Sequence, residues 1–110
     1  MRGGIAMTKP QKYQIAFRDK SGDIVGPFVD GWPVEIPELP AAQLFVHHSI
    51  EPGMEKYWCV SEAKTGRAIV KNVWGRVKAV AEARKAIQKT GAEIIEKAMK
   101  KQAVEWEKLK

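Results

Sequence analysis

The chain of 110 residues carries a formal net charge of +6, with 45% hydrophobic and 29% charged residues, the balance of an ordinary globular protein. That length suits one hydrophobic core, so a single domain spanning 1–110 is expected. No run approaches the ~18 apolar residues of a membrane span, no apolar signal-peptide core opens the chain, and Cys59 is the only cysteine, which excludes an intramolecular disulfide and points to a cytoplasmic setting.

Residues 1–11, MRGGIAMTKPQ, show no periodicity and read as a flexible arm, within which Met7 competes with Met1 as the true start. A sheet region is expected over 12–73. It opens with YQIAFR (13–18), DKSG and DIVGPF, a hairpin whose turn takes its chemistry from Asp19 to Gly22. GWPVEIPELP (31–40) holds three prolines, which cannot donate to a ladder, and so reads as at best an edge strand or a strap over the sheet. Three strands follow, LFVHHSI (44–50), YWCVSEA (57–63) and RAIVKNV (67–73), with connections short enough to make them antiparallel neighbours. From Arg76 the alternation gives way to helical spacing, with Val77, Val80, Arg84 and Ile87 along one stripe. Gly91 interrupts the pattern as a turn or a kink, and a second helix is expected from about Ala92 to Lys108. The predicted fold is therefore α+β: an antiparallel β-sheet of 4–5 strands followed by one broken or two C-terminal α-helices, the helical part covering 75–108.

The stretch YWCVSEAKTGRAIV (57–70) collects a tyrosine, a tryptophan, the cysteine, a serine, a glutamate and an arginine. A three-residue loop Lys64-Thr65-Gly66, with Gly66 left-handed, would pair Ala63 with Arg67 and set Val60 opposite Val70, Trp58 opposite Asn72, Ser61 opposite Ile69 and Cys59 opposite Lys71. Trp58, Val60, Ala68 and Val70 then share a core face with Leu44, Val46 and Ile50. The opposite face holds Phe45, His47, Tyr57, Arg67 and Lys71, an aromatic and basic mixture of the kind that holds single-stranded nucleic acid, unless helices cover it.

No metal is expected: His47 and His48 point to opposite faces and no CxxC or HxxxH spacing occurs. Cys59 and His47 on neighbouring strands would be the only nucleophile and base to consider, and no paired acid–base carboxylates or phosphate-binding glycine loop is found, so neither enzyme activity nor a cofactor is expected.

Charge is divided along the chain. Residues 1–63 hold six Lys and Arg against eight Asp and Glu, residues 64–110 thirteen against five. Such asymmetry favours an anionic partner. The candidate contact group is Arg67, Lys71, Arg76, Lys78, Arg84, Lys85, Lys89, Lys97, Lys100 and Lys101, which carries no base-reading signature and would meet phosphates in a salt-dependent way. On the last helix Ile95, Met99, Gln102, Trp106 and Leu109 follow heptad-like spacing, a seam for the protein's own sheet, a second copy or a partner. Trp32 and Trp74 flank loops, as core staples or, if exposed, as binding hot spots.

FVHHSI followed by YWCVSEAKTGRAIV and an alanine-rich helix resembles small uncharacterised proteins of phages and prophages, in which a W-x-V-S-E, T-G, A-I hairpin follows a histidine strand. The resemblance covers roughly residues 44 to 90 and implies a short accessory protein that acts by binding. The expected function is a non-enzymatic, phage-like binding or regulatory protein whose basic helical part engages nucleic acid or a nucleoprotein complex. The alternative is an oligomeric inhibitor of the anti-defence, anti-CRISPR-like type that occludes a host protein through its C-terminal helix and sheet face.

Overall fold

A computed structural model describes residues 9–18 and 20–109, with side chains described as far as Lys101. The arm through Thr8 with its two candidate starts, and the side chains of Gln102, Trp106 and Leu109, lie outside the described residues.

Seven strands and two helices follow in order: β1 (Gln11–Gln14), β2 (Phe17–Arg18), β3 (Ile24–Val25), β4 (Phe28–Val34), β5 (Leu44–His48), β6 (Trp58–Glu62), β7 (Ala68–Val73), α1 (Arg76–Thr90) and α2 (Ala92–Leu109). The main sheet has the order β1-β4-β5-β6-β7 and every pairing in it is antiparallel. This is the α+β architecture that the alternating and helical patterns predict.

The first hairpin is longer than its two sheets suggest. Gln14 pairs with Phe28, the Ile15 N–H donates to the Pro27 carbonyl at 3.0 Å, and Phe17 pairs with Val25, all in one continuous register. Proline cannot return a hydrogen bond, so the ladder breaks at Pro27 and the ribbon bends there. The next residue, Ala16, points its N–H away from the partner strand, as alternate residues of an antiparallel pair do, and donates to the Gly66 carbonyl in the β6–β7 loop at 2.8 Å. The ribbon thus folds across one face of the sheet and is tied at its bend to the β6–β7 loop.

The proline-rich segment is not an edge strap. β4 lies between β1 and β5, and Pro33 is tolerated because it stands past Gly31, the last residue that β1 pairs with. From β4 the chain turns through Ile36 and Leu39, which are buried with the helix-side core.

The β6–β7 loop is one residue longer than the spacing predicts. Glu62, not Ala63, closes it: the Glu62 N–H donates to the Arg67 carbonyl at 2.9 Å and the Gly66 N–H to the Glu62 carbonyl at 2.8 Å. Gly66 takes the left-handed conformation anticipated for it, at φ 69. Two register irregularities then follow, so that Val60 meets Val70 as expected while Trp58 meets Val73 and Ser61 meets Ala68. A bulge of this kind turns side chains to the other face. Ile69 consequently packs on the helix-side core and Ala68 leaves it, while Ile50, beyond the end of β5, joins the opposite cluster with Ile15, Val29 and Phe45.

α1 lies on the other face of the sheet, against β5, β6 and β7. Its buried stripe is Ala79, Ala83 and Ile87, with Val80 half-buried, whereas Val77 is 77% exposed and Arg84 is exposed. Two alanines on the contact side let the helix backbone approach the strands closely, and the larger Val77 falls outside that contact. Gly91, at φ 96, ends α1 outright, and Ala92 opens α2 as a separate helix. Ile95 and Met99 pack against the helix-side core, so this part of the expected seam is used within the chain.

Candidate anion-binding surfaces

His47, Cys59 and Ser61 sit on β5 and β6 beneath the bent ribbon, and the structure answers what that part of the hairpin does. The β6–β7 loop is built around a buried carboxylate. Glu62 is 1% exposed and accepts from Lys64 N–H at 2.7 Å, Thr65 N–H at 2.9 Å and the Thr65 hydroxyl at 2.8 Å. Thr65 Oγ1 in turn accepts from Arg67 N–H at 3.1 Å. Burying a charge is costly unless hydrogen bonds hold it, and here one loop supplies all three donors. The W-x-V-S-E, T-G pattern is therefore a self-anchoring turn, with Glu62 and Thr65 in structural roles.

The aromatic and basic face expected for nucleic acid is not open. Phe45 is 0% exposed and His47 3% exposed, because the ribbon rather than the helices covers them, with Tyr13 stacked on Phe45 at 4.0 Å between ring centres. Burial raises the Tyr13 phenol above its ordinary range. Tyr57, the third expected contact, is half-buried and meets Trp74 edge-on at 5.3 Å.

His47 and Cys59 are direct register partners, but the imidazole does not serve the thiol. His47 Nδ1 lies 2.8 Å from the His48 carbonyl and Nε2 lies 2.7 Å from Ser61 Oγ. A carbonyl only accepts, so the proton is on Nδ1 and Nε2 accepts from the serine hydroxyl. Burial holds the imidazole below its ordinary value, in the neutral form this network needs. Burial likewise pushes the Cys59 thiol up, opposing the thiolate that a nucleophile would require. Ser61 is the member of this group that strand alternation could not single out, since its link to His47 runs diagonally between strands.

Above these groups a cavity of about 250 Å³ opens between the ribbon and β5–β7, with Ser49, Cys59 and Ser61 among its polar lining. A second hollow of about 260 Å³ adjoins it and shares Ala16, Arg18, Ala68 and Lys71, adding Arg67. Arg67 and Lys71 thus stand on the ribbon side, across the sheet from α1.

The remaining cations divide by the work they already do. Arg84 grips Glu38 through Nε at 2.7 and 2.9 Å, and Gln88 joins at 2.6 Å, holding the Glu38 carboxyl below the usual carboxylate range. Arg76 lies over the rings of Trp32 and Trp58, at 5.8 and 5.5 Å from their centres, and His48 stacks on Trp58 at 3.8 Å. Lys78, Lys85 and Lys89 are exposed and, at ~100° per residue, fall within roughly 40° of one another on the side of α1 turned from the sheet. Among the described residues the one carboxylate beside them is Glu82, 3.5 Å from Lys85. Lys97, Lys100 and Lys101 are exposed on α2. The ten predicted contacts therefore do not form one surface: Arg67 and Lys71 stand on the ribbon side, the lysines are exposed on α1 and on α2, and Arg76 and Arg84 are engaged in packing.

Among the described residues no cluster of three or more His, Cys, Asp or Glu side chains is placed to hold a metal ion, and no helix is long and apolar enough to cross a membrane. Comparison with known proteins finds no family model, no curated protein and no solved structure that matches the chain.

Proposed function

We propose that this is a non-enzymatic binding protein, phage-like in type, whose basic helices engage nucleic acid or a nucleoprotein through phosphate contacts. The observation that carries this reading is the lysine stripe Lys78, Lys85 and Lys89 on α1, with Lys97, Lys100 and Lys101 exposed on α2; of these six Lys85 alone has a carboxylate within 4.0 Å among the described residues. Long, exposed cations on one side of a helix neutralise phosphates without selecting a base, releasing counterions as they bind. Arg76 and Arg84, spent on tryptophan rings and on Glu38, are not part of this contact set.

The test is a gel-shift titration on single- and double-stranded nucleic acid at low and moderate salt, with the wild type and a K78Q/K85Q/K89Q variant. Binding should weaken steeply as salt rises, and the triple variant should lower the salt slope by about 2 to 3, roughly one unit per lost phosphate contact. Absence of a shift, or a slope indifferent to the three substitutions, would overturn the reading.

A second reading, an oligomeric inhibitor that occludes a host protein, is favoured by one observation: Trp74 is 64% exposed, its ring edge-on to Tyr57. Exposed tryptophan is the residue type that dominates protein interfaces. The sheet-face part of that reading contracts to Tyr57 and Trp74, since Phe45 and His47 are covered. A light-scattering mass above 12.3 kDa that returns to the monomer value in Trp74→Ala would favour it.

A further inference from the structure

The geometry points to a second binding site, independent of the helical lysines: the cavity beneath the N-terminal ribbon takes a small phosphate monoester of a short hydroxylated chain. The space exists because small residues stand where the ribbon crosses the sheet. Ala16 and Ala68 line both hollows, and Ala68 faces them only because the β7 bulge turns it away from the helix side. Gly66 holds the roof in place through its hydrogen bond with Ala16. A cavity of about 250 Å³ is large enough for a ligand of around ten heavy atoms, toward the lower end of small-molecule sites.

The charge around it selects the ligand. Arg18, which also donates to the Gly22 carbonyl, and Lys71 line both hollows, Arg67 lines the adjoining one, and Glu51 is the carboxylate among the lining residues. Three cations against one anion match a phosphate monoester, which carries about −1.5 to −2 at neutral pH, better than a singly charged carboxylate. No ion pair with a carboxylate occupies Arg67 or Lys71 among the described residues. Deeper in, Ser61 accepts and Ser49 donates. The Ser61 hydroxyl proton is committed to His47 Nε2, so the Ser61 oxygen offers a lone pair to the cavity. Ser49 Oγ accepts from Glu51 N–H at 3.1 Å, which leaves its hydroxyl proton to donate beside Cys59. A ligand hydroxyl donating to Ser61 satisfies that end, while Ile15 and Ile50 provide apolar wall for its carbon chain.

The experiment is an NMR titration of the isotope-labelled full chain with glycerol 3-phosphate, propyl phosphate, inorganic phosphate and glycerate. Saturable shifts of the Ser61 and Ala68 amides and the His47 ring are expected with glycerol 3-phosphate. Propyl phosphate, lacking the hydroxyl, should bind about three- to tenfold more weakly, the value of one neutral hydrogen bond. Arg67→Ala with Lys71→Ala should cost at least about tenfold, consistent with losing charge-assisted contacts. Ala68→Leu fills the cavity without altering charge and should abolish the shifts while gel-shift binding of nucleic acid persists. No saturable shift at these nuclei would overturn the proposal, as would equal binding by the folded Ala68→Leu protein or a preference for glycerate. Arg67 and Lys71 are exposed, so their double variant keeps the test decisive if the leucine disturbs folding.

Discussion

Glu62 and His47 are the two buried polar side chains whose surroundings most constrain the protein. Glu62→Ala removes the acceptor of three loop donors and leaves Lys64 and Thr65 amides without a partner. Hydrogen bonds to a charged group are worth about 1.5 to 3 kcal/mol each and are not additive, so a loss of roughly 2 to 4 kcal/mol in denaturant unfolding is expected. His47 sets a pH dependence. Its folded-state value lies below the ordinary 6.5, so the unfolded chain takes up the proton first as pH falls. Stability is therefore full above about pH 6.5 and declines below it by up to about 1.4 kcal/mol per pH unit, until the folded imidazole itself titrates. Glu38, lowered from 4.5 by its hydrogen bonds with Arg84 and Gln88, acts in a separate and more acidic window. His47→Gln should flatten the first decline, and a wild-type curve already flat between about pH 7 and 5 would contradict the assignment. Cys59, buried with its thiol pushed up, should react with alkylating reagents only as fast as the sheet opens, and rapid labelling of the native protein would restore it as a nucleophile candidate.

At the scale of elements, the bent ribbon and the β6–β7 loop depend on one contact. A Cβ at Gly66 would lie 2.6 Å from the Ala16 nitrogen, on a backbone already at φ 69. The obstacle is main chain on both sides, which cannot swing aside as a side chain would. Gly66→Ala should therefore cost about 2 kcal/mol or more, the left-handed penalty plus loss of the Ala16 hydrogen bond. Faster amide exchange at Ala16 and Ile15 would show that the ribbon, not the helical layer, has come loose. Phe45 reports on the same junction, being fully buried between the sheet and Tyr13. Truncating it to alanine should destabilise by about 3 to 5 kcal/mol. α1 behaves differently: its contact with the sheet runs through Ala79 and Ala83, so enlarging either to leucine should be more damaging than any change at exposed Val77.

For the whole molecule, the question is whether anion affinity follows the placement of lysines or merely the excess of charge. K78Q/K85Q/K89Q takes the formal net charge from +6 to +3, and so does K20Q/K56Q/K64Q, whose lysines are exposed on other elements. Exposed substitutions of this kind should each alter stability by less than about 0.5 kcal/mol, leaving both variants folded. If the α1 stripe makes the contacts, the first variant loses affinity and salt slope and the second largely keeps them. Equal loss in both would assign binding to the overall field.

Hydrophobic alternation and glycine placement determined a good deal by themselves: the antiparallel pairing of β5, β6 and β7, the left-handed Gly66, and an interruption of the helical pattern at Gly91, whereas the internal place of β4 and the choice between a kink and two helices waited on the fold. The first three are local properties, set by side-chain period and by the conformations a residue allows, and they survive whatever packs against them. The charge division was equally legible, because net charge needs no fold. Tertiary structure decided the rest. Pro27 lay within the second strand of the first hairpin, DIVGPF, yet its missing donor bends a ribbon whose contact, Gly66, is distant along the chain. The bulges of β7 depended on a loop one residue longer than its glycine suggested, and they reassigned Ala68 and Ile69 between faces. Phe45 and His47 passed from candidate surface to interior for the same reason: alternation tells which residues share a face, but what covers that face is a long-range contact that no local pattern encodes.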